Sequence, residues 1–302
     1  MWFWLSLIAL LCWSGSDLFS KIGCRDPRDK FSPLKMVIAV GVVMGLHAAY
    51  EIFVGGTEIN LSILLTYLPV SLLYIGSMTL GYVGLRYIEL SISSPICNSS
   101  GALVAVMTLI FSGISGYSPL ALVAVALVCA GAIGLGVVDA CEDEDLRAAR
   151  QEASNYKYAK SAMALAMPVA YCLLDAAGTF ADNRVLETLN EDSANVAYEL
   201  TFLLAAVVCF VYVVLIKRTP LIPKLEAPKY IGAVCETAGQ FAYIYAIADT
   251  EHLAMSAPII SSYCAASVLW SRIFLKEKLS WKHYLMILLI IIGIAIMGFF
   301  DM

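Results

Sequence analysis

The chain has 302 residues, of which 61% are hydrophobic and only 14% charged, with a net charge of −5. A soluble domain carries about a quarter charged residues. The apolar excess here runs along the whole length, at a mean hydropathy of +0.82, which excludes a soluble globular protein and points to a polytopic membrane protein.

The run from Met1 to Leu11 lacks a basic n-region and its apolar character continues to Phe19, so it is read as a retained helix rather than a cleavable signal peptide. Ten apolar runs are long enough to span, at approximately 2–22, 33–54, 64–86, 91–112, 118–138, 159–181, 194–216, 229–248, 252–274 and 281–300. The expected fold is therefore an all-α membrane protein of ten transmembrane helices. Connections are short except for 139–158, a polar stretch of mixed charge with Asp143 four residues before Arg147. It is read as a solvated, helical, cytoplasmic linker. It divides the chain into a first five-helix repeat, 1–138, and a second, 159–302.

Of the 19 Lys and Arg residues, 18 fall in the odd-numbered connections, and Arg184 alone lies on the other side. Cytoplasmic loops carry the excess of basic residues. The odd connections are thus expected in the cytoplasm, with both termini extracytoplasmic and the chain in the plasma membrane.

The halves resemble each other. A shift of 163 residues lays Gly76 on Gly239, Tyr82 on Tyr245, Ser93 on Ser256, Pro95 on Pro258, Ile96 on Ile259, Ser99 on Ser262 and Ala102 on Ala265. A shift of 162 lays Ser118 on Ser280, Gly131 on Gly293 and Gly136 on Gly298. Copies with an odd number of spans have opposite orientation, and inverted repeats are common among secondary transporters.

Five plus five helices, a proline near the start of the fourth and ninth (Pro95, Pro258), and Lys276-Glu277-Lys278-Leu279-Ser280 before a Gly-containing last helix form a familiar set. In these features the chain resembles the drug/metabolite transporter superfamily, in its ten-helix EamA-like branch. The resemblance implies a cavity lined by the first, third, fourth, sixth, eighth and ninth helices, with the fifth and tenth as scaffold. Two features depart from the pattern. Lys276 stands where the family usually has Gly, and the chain ends in GFFDM without the basic tail of many relatives.

The acids inside the spans carry the functional reading. Glu236 lies halfway through the eighth span, on one face with Gly232, Gly239, Gln240 and Tyr243. A carboxylate facing lipid there costs about 2.5–3.5 kcal/mol, so it must face protein or a hydrated cavity. Asp17, Asp175 and Glu199 lie in the first, sixth and seventh spans, and no Lys or Arg occupies a span centre. Plainer readings stand beside these: Asp17 paired with Lys21 at i+4, Asp175 and Glu199 as interfacial groups. Acids without basic partners disfavour anionic cargo and favour cations, a coupling proton or a coupling sodium.

Trp13, Tyr74, Tyr82, Tyr171, Tyr198, Phe202, Tyr243, Tyr245 and Tyr263 fall in the candidate cavity spans, with Trp13 and Tyr171 four residues before Asp17 and Asp175. An acid beside a ring face suits an amine or quaternary ammonium, at about 0.5–2 kcal/mol per ring. Interfacial belts are the ordinary alternative for Tyr and Trp, and Trp4, Trp270, Trp281 and Tyr284 are assigned to them. Ser93, Ser94, Asn98, Ser99, Ser256, Ser261 and Ser262 flank the two prolines. They are read either as partners for freed backbone groups and cargo or as small residues for close packing.

The remaining features carry less. His47 and Glu51 at i,i+4 make no metal site by themselves. Nine cysteines without a CxxC pair read as small hydrophobes, and CEDED at 141–145 reads as a solvated acidic loop. No cofactor motif or catalytic signature is present and nucleic-acid binding has no support.

The sequence thus leads to a secondary active transporter of a small organic cation or amine-bearing metabolite, the two halves rocking by alternating access. A proton-coupled carrier of neutral or zwitterionic metabolites such as amino acids is the second reading. A membrane-embedded lipid-modifying enzyme is the remote one, with Arg86 and Glu89 or Asp249, Glu251 and His252 as its only candidate groups. The partners expected are a small-molecule substrate and membrane lipid. A homodimer is compatible with the sequence.

Overall fold

A computed structural model describes residues 1–26, 28–113, 117–141 and 162–298. The linker expectation and the C-terminal GFFDM lie outside or at the edge of those residues. The described chain is built from helices: α1 (Trp2–Cys24), α2 (Ser32–Tyr50), α3 (Leu61–Tyr87), α4 (Leu90–Asn98), α5 (Ser100–Ser112) and α6 (Pro119–Ala140). They are followed by α7 (Ala162–Val185), α8 (Glu191–Phe210), α9 (Pro223–Ala248), α10 (Leu253–Ser261), α11 (Tyr263–Trp270) and α12 (Trp281–Gly298). No strand occurs among the described residues. Among the described residues, eight helical segments are long and apolar enough to cross a membrane. The more polar α7 and α9 also have the length, at 24 and 26 residues.

Local chemistry sets several starts. Asn60 accepts from the Ile63 amide at 3.0 Å and caps α3, and Asn190 accepts from the Asp192 amide at 2.9 Å and caps α8. Pro33 and Pro223 sit in the first turns of α2 and α9, where a missing amide costs nothing.

The fourth and ninth spans, expected as continuous, are each broken in two. Proline removes the amide that would bond the carbonyl four residues back. Four residues after each proline the helix is interrupted, at Ser99 and at Ser262, and the two breaks share one hydrogen-bond pattern. The Ser99 amide reaches the Pro95 and Ile96 carbonyls at 3.1 and 3.3 Å; the Ser262 amide reaches those of Pro258 and Ile259 at 2.9 and 3.1 Å.

The helices pack in pairs drawn from opposite ends of the sequence: α1 on α9, α3 on α7, α2 on α8, α6 on α12, α5 on α10 and α4 on α11. Lipid offers no hydrophobic drive for this, so small residues that let backbones approach decide the contacts. At the α6–α12 crossing, a Cβ on Gly131 would sit 2.8 Å from the Met286 carbonyl oxygen, and one on Gly293 would sit 2.8 Å from that of Ala124. Gly131 and Gly293, matched by the 162-residue shift, therefore meet reciprocal backbone at one crossing, whereas Gly136 faces Ile96 and Gly298 faces Phe3. This pair of helices stands outside the central assembly of α1, α3, α7 and α9.

Candidate transport cavity

A cavity of about 70 Å³ lies between these helices. α1 contributes Trp13, Ser16, Asp17 and Ser20; α3 contributes Tyr74, Met78, Gly81, Tyr82 and Leu85. The broken spans supply Ser93, Ser94, Cys97, Asn98, Gly101 and Val104 on one side and Ala257, Ile260, Ser261 and Tyr263 on the other. α7 adds Tyr171, Asp175 and Thr179, α8 adds Tyr198, and α9 adds Glu236, Gln240 and Tyr243. The walls thus come from the helices that the family resemblance implies, with Tyr198 of the seventh span in addition.

Three carboxyl groups face this space, and no Lys, Arg or His lines it among the described residues. Asp17 is held by hydroxyls from both broken spans: Ser94 Oγ donates to its Oδ2 at 2.5 Å and Ser267 Oγ to the same atom at 2.8 Å. Ser100, in the first turn of α5 just past the break, donates to Asp175 Oδ2 at 2.7 Å. The helix breaks therefore bring short hydroxyls to two of the acids. Glu236 is half-buried, with Ser16 beside its carboxyl, and forms no ion pair among the described residues. Its backbone carbonyl accepts from Trp13 Nε1 at 3.3 Å.

Aromatic rings frame the acids. Trp13 lies against Tyr243 and Tyr263 at centroid separations of 5.0 and 5.8 Å, and Tyr74 meets Tyr198 and Tyr243 edge-on at 5.9 and 6.2 Å. Gly239 makes the Trp13 placement possible, since a Cβ there would stand 2.4 Å from the indole. At one end, Tyr67 donates to Asp182 Oδ1 at 2.7 Å and Tyr74 to Oδ2 at 3.3 Å. The Tyr74 and Tyr243 hydroxyls bond each other, and both reach Thr179 Oγ1 at 3.2 and 3.1 Å. Asp182 is fully buried in this network.

Asp17, Asp175, Glu236, Gln240, Tyr243, Trp13, Tyr74, Tyr82, Asn98, Tyr171, Tyr198, Ser261 and Tyr263 all lie on the cavity wall. Glu199 does not. It is turned toward α2, where His47 Nδ1 lies 2.8 Å and Asn195 Nδ2 3.2 Å from its Oε1. Adjacent helical residues point about 100° apart, so Tyr198 faces the cavity while Glu199 faces its neighbour helix. The i,i+4 pairing of Asp17 with Lys21 gives way to the serine contacts, and Lys21 Nζ instead donates to the Leu85 and Ile88 carbonyls at 2.7 and 2.6 Å. Asp175, placed among interfacial groups in one reading, is on the cavity wall with Ser100. Trp270 is no simple belt residue either, because its indole donates to Ser14 Oγ at 3.1 Å.

Sequence reasoning missed Asp182, Thr179 and Ser267. The expected sixth span stopped at 181, which made Asp182 look like a flanking polar residue, although its neighbour Asn183 and the i−3 Thr179 extend a polar face. No group of three or more His, Cys, Asp and Glu residues with metal-site geometry occurs among the described residues.

An acid-lined cavity among helices long and apolar enough to cross a membrane fits a multi-pass membrane protein. The EamA-like transporter family model matches residues 164–299, so this part of the chain is similar to that family. A solved structure described only as "Crystal structure of protein" has the same fold: TM-score 0.63, 14% identity, 98% of this chain covered and 96% of that one. Comparison with curated proteins gives no match.

Proposed function

We propose that the protein is a secondary active transporter of a small organic cation or amine-bearing metabolite, working by ion-coupled alternating access in the plasma membrane. The observation that carries this reading is one cavity with Asp17, Asp175 and Glu236 on its wall and no basic side chain on that wall among the described residues. Such a site holds a negative potential that draws in cations. Its aromatic walls add favourable ring-face contacts for an ammonium group. A carboxyl that carries a proton when the cavity is empty and gives it up to an arriving cation couples the two fluxes. Glu236, on the cavity wall and without an ion-pair partner among the described residues, is assigned that role.

Two inverted five-helix repeats, 1–138 and 159–302, with both termini extracytoplasmic, are part of the proposal. In its support, the packing list is unchanged when the halves are exchanged: α1 on α9 becomes α7 on α3, while α2–α8 and α6–α12 map onto themselves. The matched breaks at Ser99 and Ser262 agree with it.

A second reading has its own support. Gln240 Nε2 and the Tyr82 hydroxyl are buried on the cavity side without a hydrogen-bond partner among the described residues. Buried polar groups are normally satisfied, and these two could serve a carboxylate or carbonyl on the cargo. That favours a proton-coupled carrier of zwitterionic metabolites such as amino acids, with the acids moving protons.

The test is uptake into proteoliposomes under an imposed pH gradient, with a panel of amines, quaternary ammonium compounds and amino acids first ranked by thermal stabilisation. Glu236→Gln is expected to abolish coupled uptake or change its pH dependence while leaving the protein folded. Wild-type uptake with an unchanged pH profile in that variant overturns the assignment. Stabilisation by amino acids but not by simple amines selects the second reading.

A further inference from the structure

Two buried side chains tie the ends of the central helices together in the same way at opposite ends of the cavity. Lys21, near the end of α1, donates to the carbonyl of Leu85 near the end of α3, at 2.7 Å. Asn183, near the end of α7, donates to the carbonyl of Ile247 near the end of α9, also at 2.7 Å. Each contact spans 64 positions of sequence. Lys21 and Asn183 are 162 residues apart, as are Leu85 and Ile247, the shift that also relates Gly131 to Gly293. Both donors are buried, at 3% and 5% exposure, so each contact is made out of water.

Their places relative to the cavity matter. Ser20, adjacent to Lys21, and Leu85 itself lie on the cavity wall at one end. Thr179 and Tyr243, one turn before Asn183 and Ile247, lie on the wall at the other end. Helix packing supplies the mechanical link. α1 packs on α9 and α3 packs on α7, as two close pairs each drawn from both halves of the sequence. The Lys21 contact joins the α1/α9 pair to the α3/α7 pair at one end. The Asn183 contact joins the same two pairs at the other.

We propose that Lys21 and Asn183 are paired latches, and that the moving bodies are the α1/α9 and α3/α7 pairs rather than the two sequence halves. Breaking the Lys21 latch lets the pairs tilt apart at that end while the Asn183 latch holds the other, and the converse opens the opposite face. Each latch is a side chain on helix-terminal carbonyls, which lack an intrahelical partner. Release therefore leaves the hydrogen bonds within the helices intact. The inference rests on the alternating-access reading above, but its test needs no cargo.

Cys97 is a native thiol on the cavity wall and serves as the reporter. Right-side-out and inside-out vesicles are exposed to a membrane-impermeant methanethiosulfonate reagent, and Cys97 modification is quantified by peptide mass spectrometry. Lys21→Met is expected to raise the labelling rate about tenfold from the face bearing the first and third connections, and Asn183→Leu to raise it similarly from the opposite face. Lys21→Arg, which keeps a donor, is expected to stay near the wild-type rate. Folded variants with wild-type labelling from both faces, or both variants opening the same face, overturn the proposal. If Lys21→Met does not fold, Lys21→Gln and the Asn183→Leu arm decide it by the same criteria. Sided labelling without coupled uptake in the wild type would retain the latches and sink the transport reading. Coupled uptake without sided labelling would do the reverse.

Discussion

Ser94 and Asp17 share a hydrogen bond of 2.5 Å between the hydroxyl of a residue just before a helix break and a carboxylate on a different helix. Ser267, beyond the corresponding break in the ninth span, completes the arrangement at 2.8 Å. The two prolines thus have a consequence beyond their own backbone. The breaks they produce set serines from two separate spans on one acid. Asp17 is positioned by both halves at once, so a change in their relative placement is felt at its oxygen.

The first prediction follows from that position. Asp17→Asn keeps the shape and accepts the same two serine hydrogen bonds, but removes the charge. Uptake should fall by at least tenfold, while thermal stability should change by less than about 1 kcal/mol because both hydroxyls keep an acceptor. Ser267→Ala, which removes only one donor, should lower uptake less. Asp17→Asn with undiminished uptake would remove this acid from the path. Parallel uptake and melting measurements on the two variants check both statements.

The second prediction separates Glu199 from the cavity acids. Its carboxylate lies 2.8 Å from His47 Nδ1, fully buried and away from the cavity wall. Glu199→Gln should leave the pH profile of uptake unchanged, in contrast to Glu236→Gln. It should destabilise the protein by about 1–3 kcal/mol, the range for weakening a buried, charge-assisted hydrogen bond. A pH profile altered as in the Glu236 variant would return Glu199 to the transport path.

Much of this arrangement was legible in the residues themselves. Carboxylates at mid-span have few places to go, and Glu236, Asp17 and Asp175 do face one space. Helical spacing put Glu236, Gln240 and Tyr243 on a single face, as found. The matched glycines Gly131 and Gly293 turned up at one crossing. What could not be read was azimuth. Tyr198 and Glu199 are neighbours in sequence, and only the packing of α8 on α2 decides which of them turns inward. Nor could the reach of Ser267 to Asp17 be seen, since their separation of 250 positions is bridged only in three dimensions. Asp182 was lost to a helix boundary set four residues short of Val185, the least reliable part of any helix reading. Lys21 was drawn toward its i−4 neighbour by local spacing, whereas the end of α3 offers it two carbonyls without intrahelical partners.

The third prediction concerns a buried ion network away from the cavity. Lys35 Nζ lies 2.8 Å from Asp29 and 3.3 Å from Glu226, and Glu226 lies 2.8 Å from Lys229. Glu226 and the two lysines are almost fully buried, so the network ties α2 and the loop before it to the first turn of α9. Removing one partner leaves uncompensated buried charge, at a cost of about 3–5 kcal/mol. Glu226→Ala should therefore lower the melting temperature sharply. Glu226→Asp should lower it less, since it keeps the charge. Equal melting curves for Glu226→Ala and wild type would show that the network contributes nothing to the fold.

Lys276 allows the fourth prediction, and it accounts for one of the departures from the family pattern. It stands where the resemblance expects glycine, and its φ is +59°, in the left-handed region that side chains with a Cβ disfavour. The position ends the π-turn Ser271–Leu275 and turns the chain toward α12. A π-turn of the same kind, Glu51–Gly55, is ended by Gly56, at φ +76°, with nothing near its missing Cβ. The backbone thus asks for glycine at both places and receives it at one. A left-handed residue other than glycine costs roughly 1–2 kcal/mol, offset in part by the greater entropy glycine gives the unfolded chain. Lys276→Gly should therefore stabilise the protein by about 0.5–1 kcal/mol, and Gly56→Ala should destabilise it by a similar amount. Because Lys276 does not line the cavity, uptake by the stabilised variant should match wild type. Thermal unfolding in detergent beside uptake in proteoliposomes reads both quantities, and a lower melting temperature for Lys276→Gly would show that the lysine side chain contributes more than its backbone strain removes.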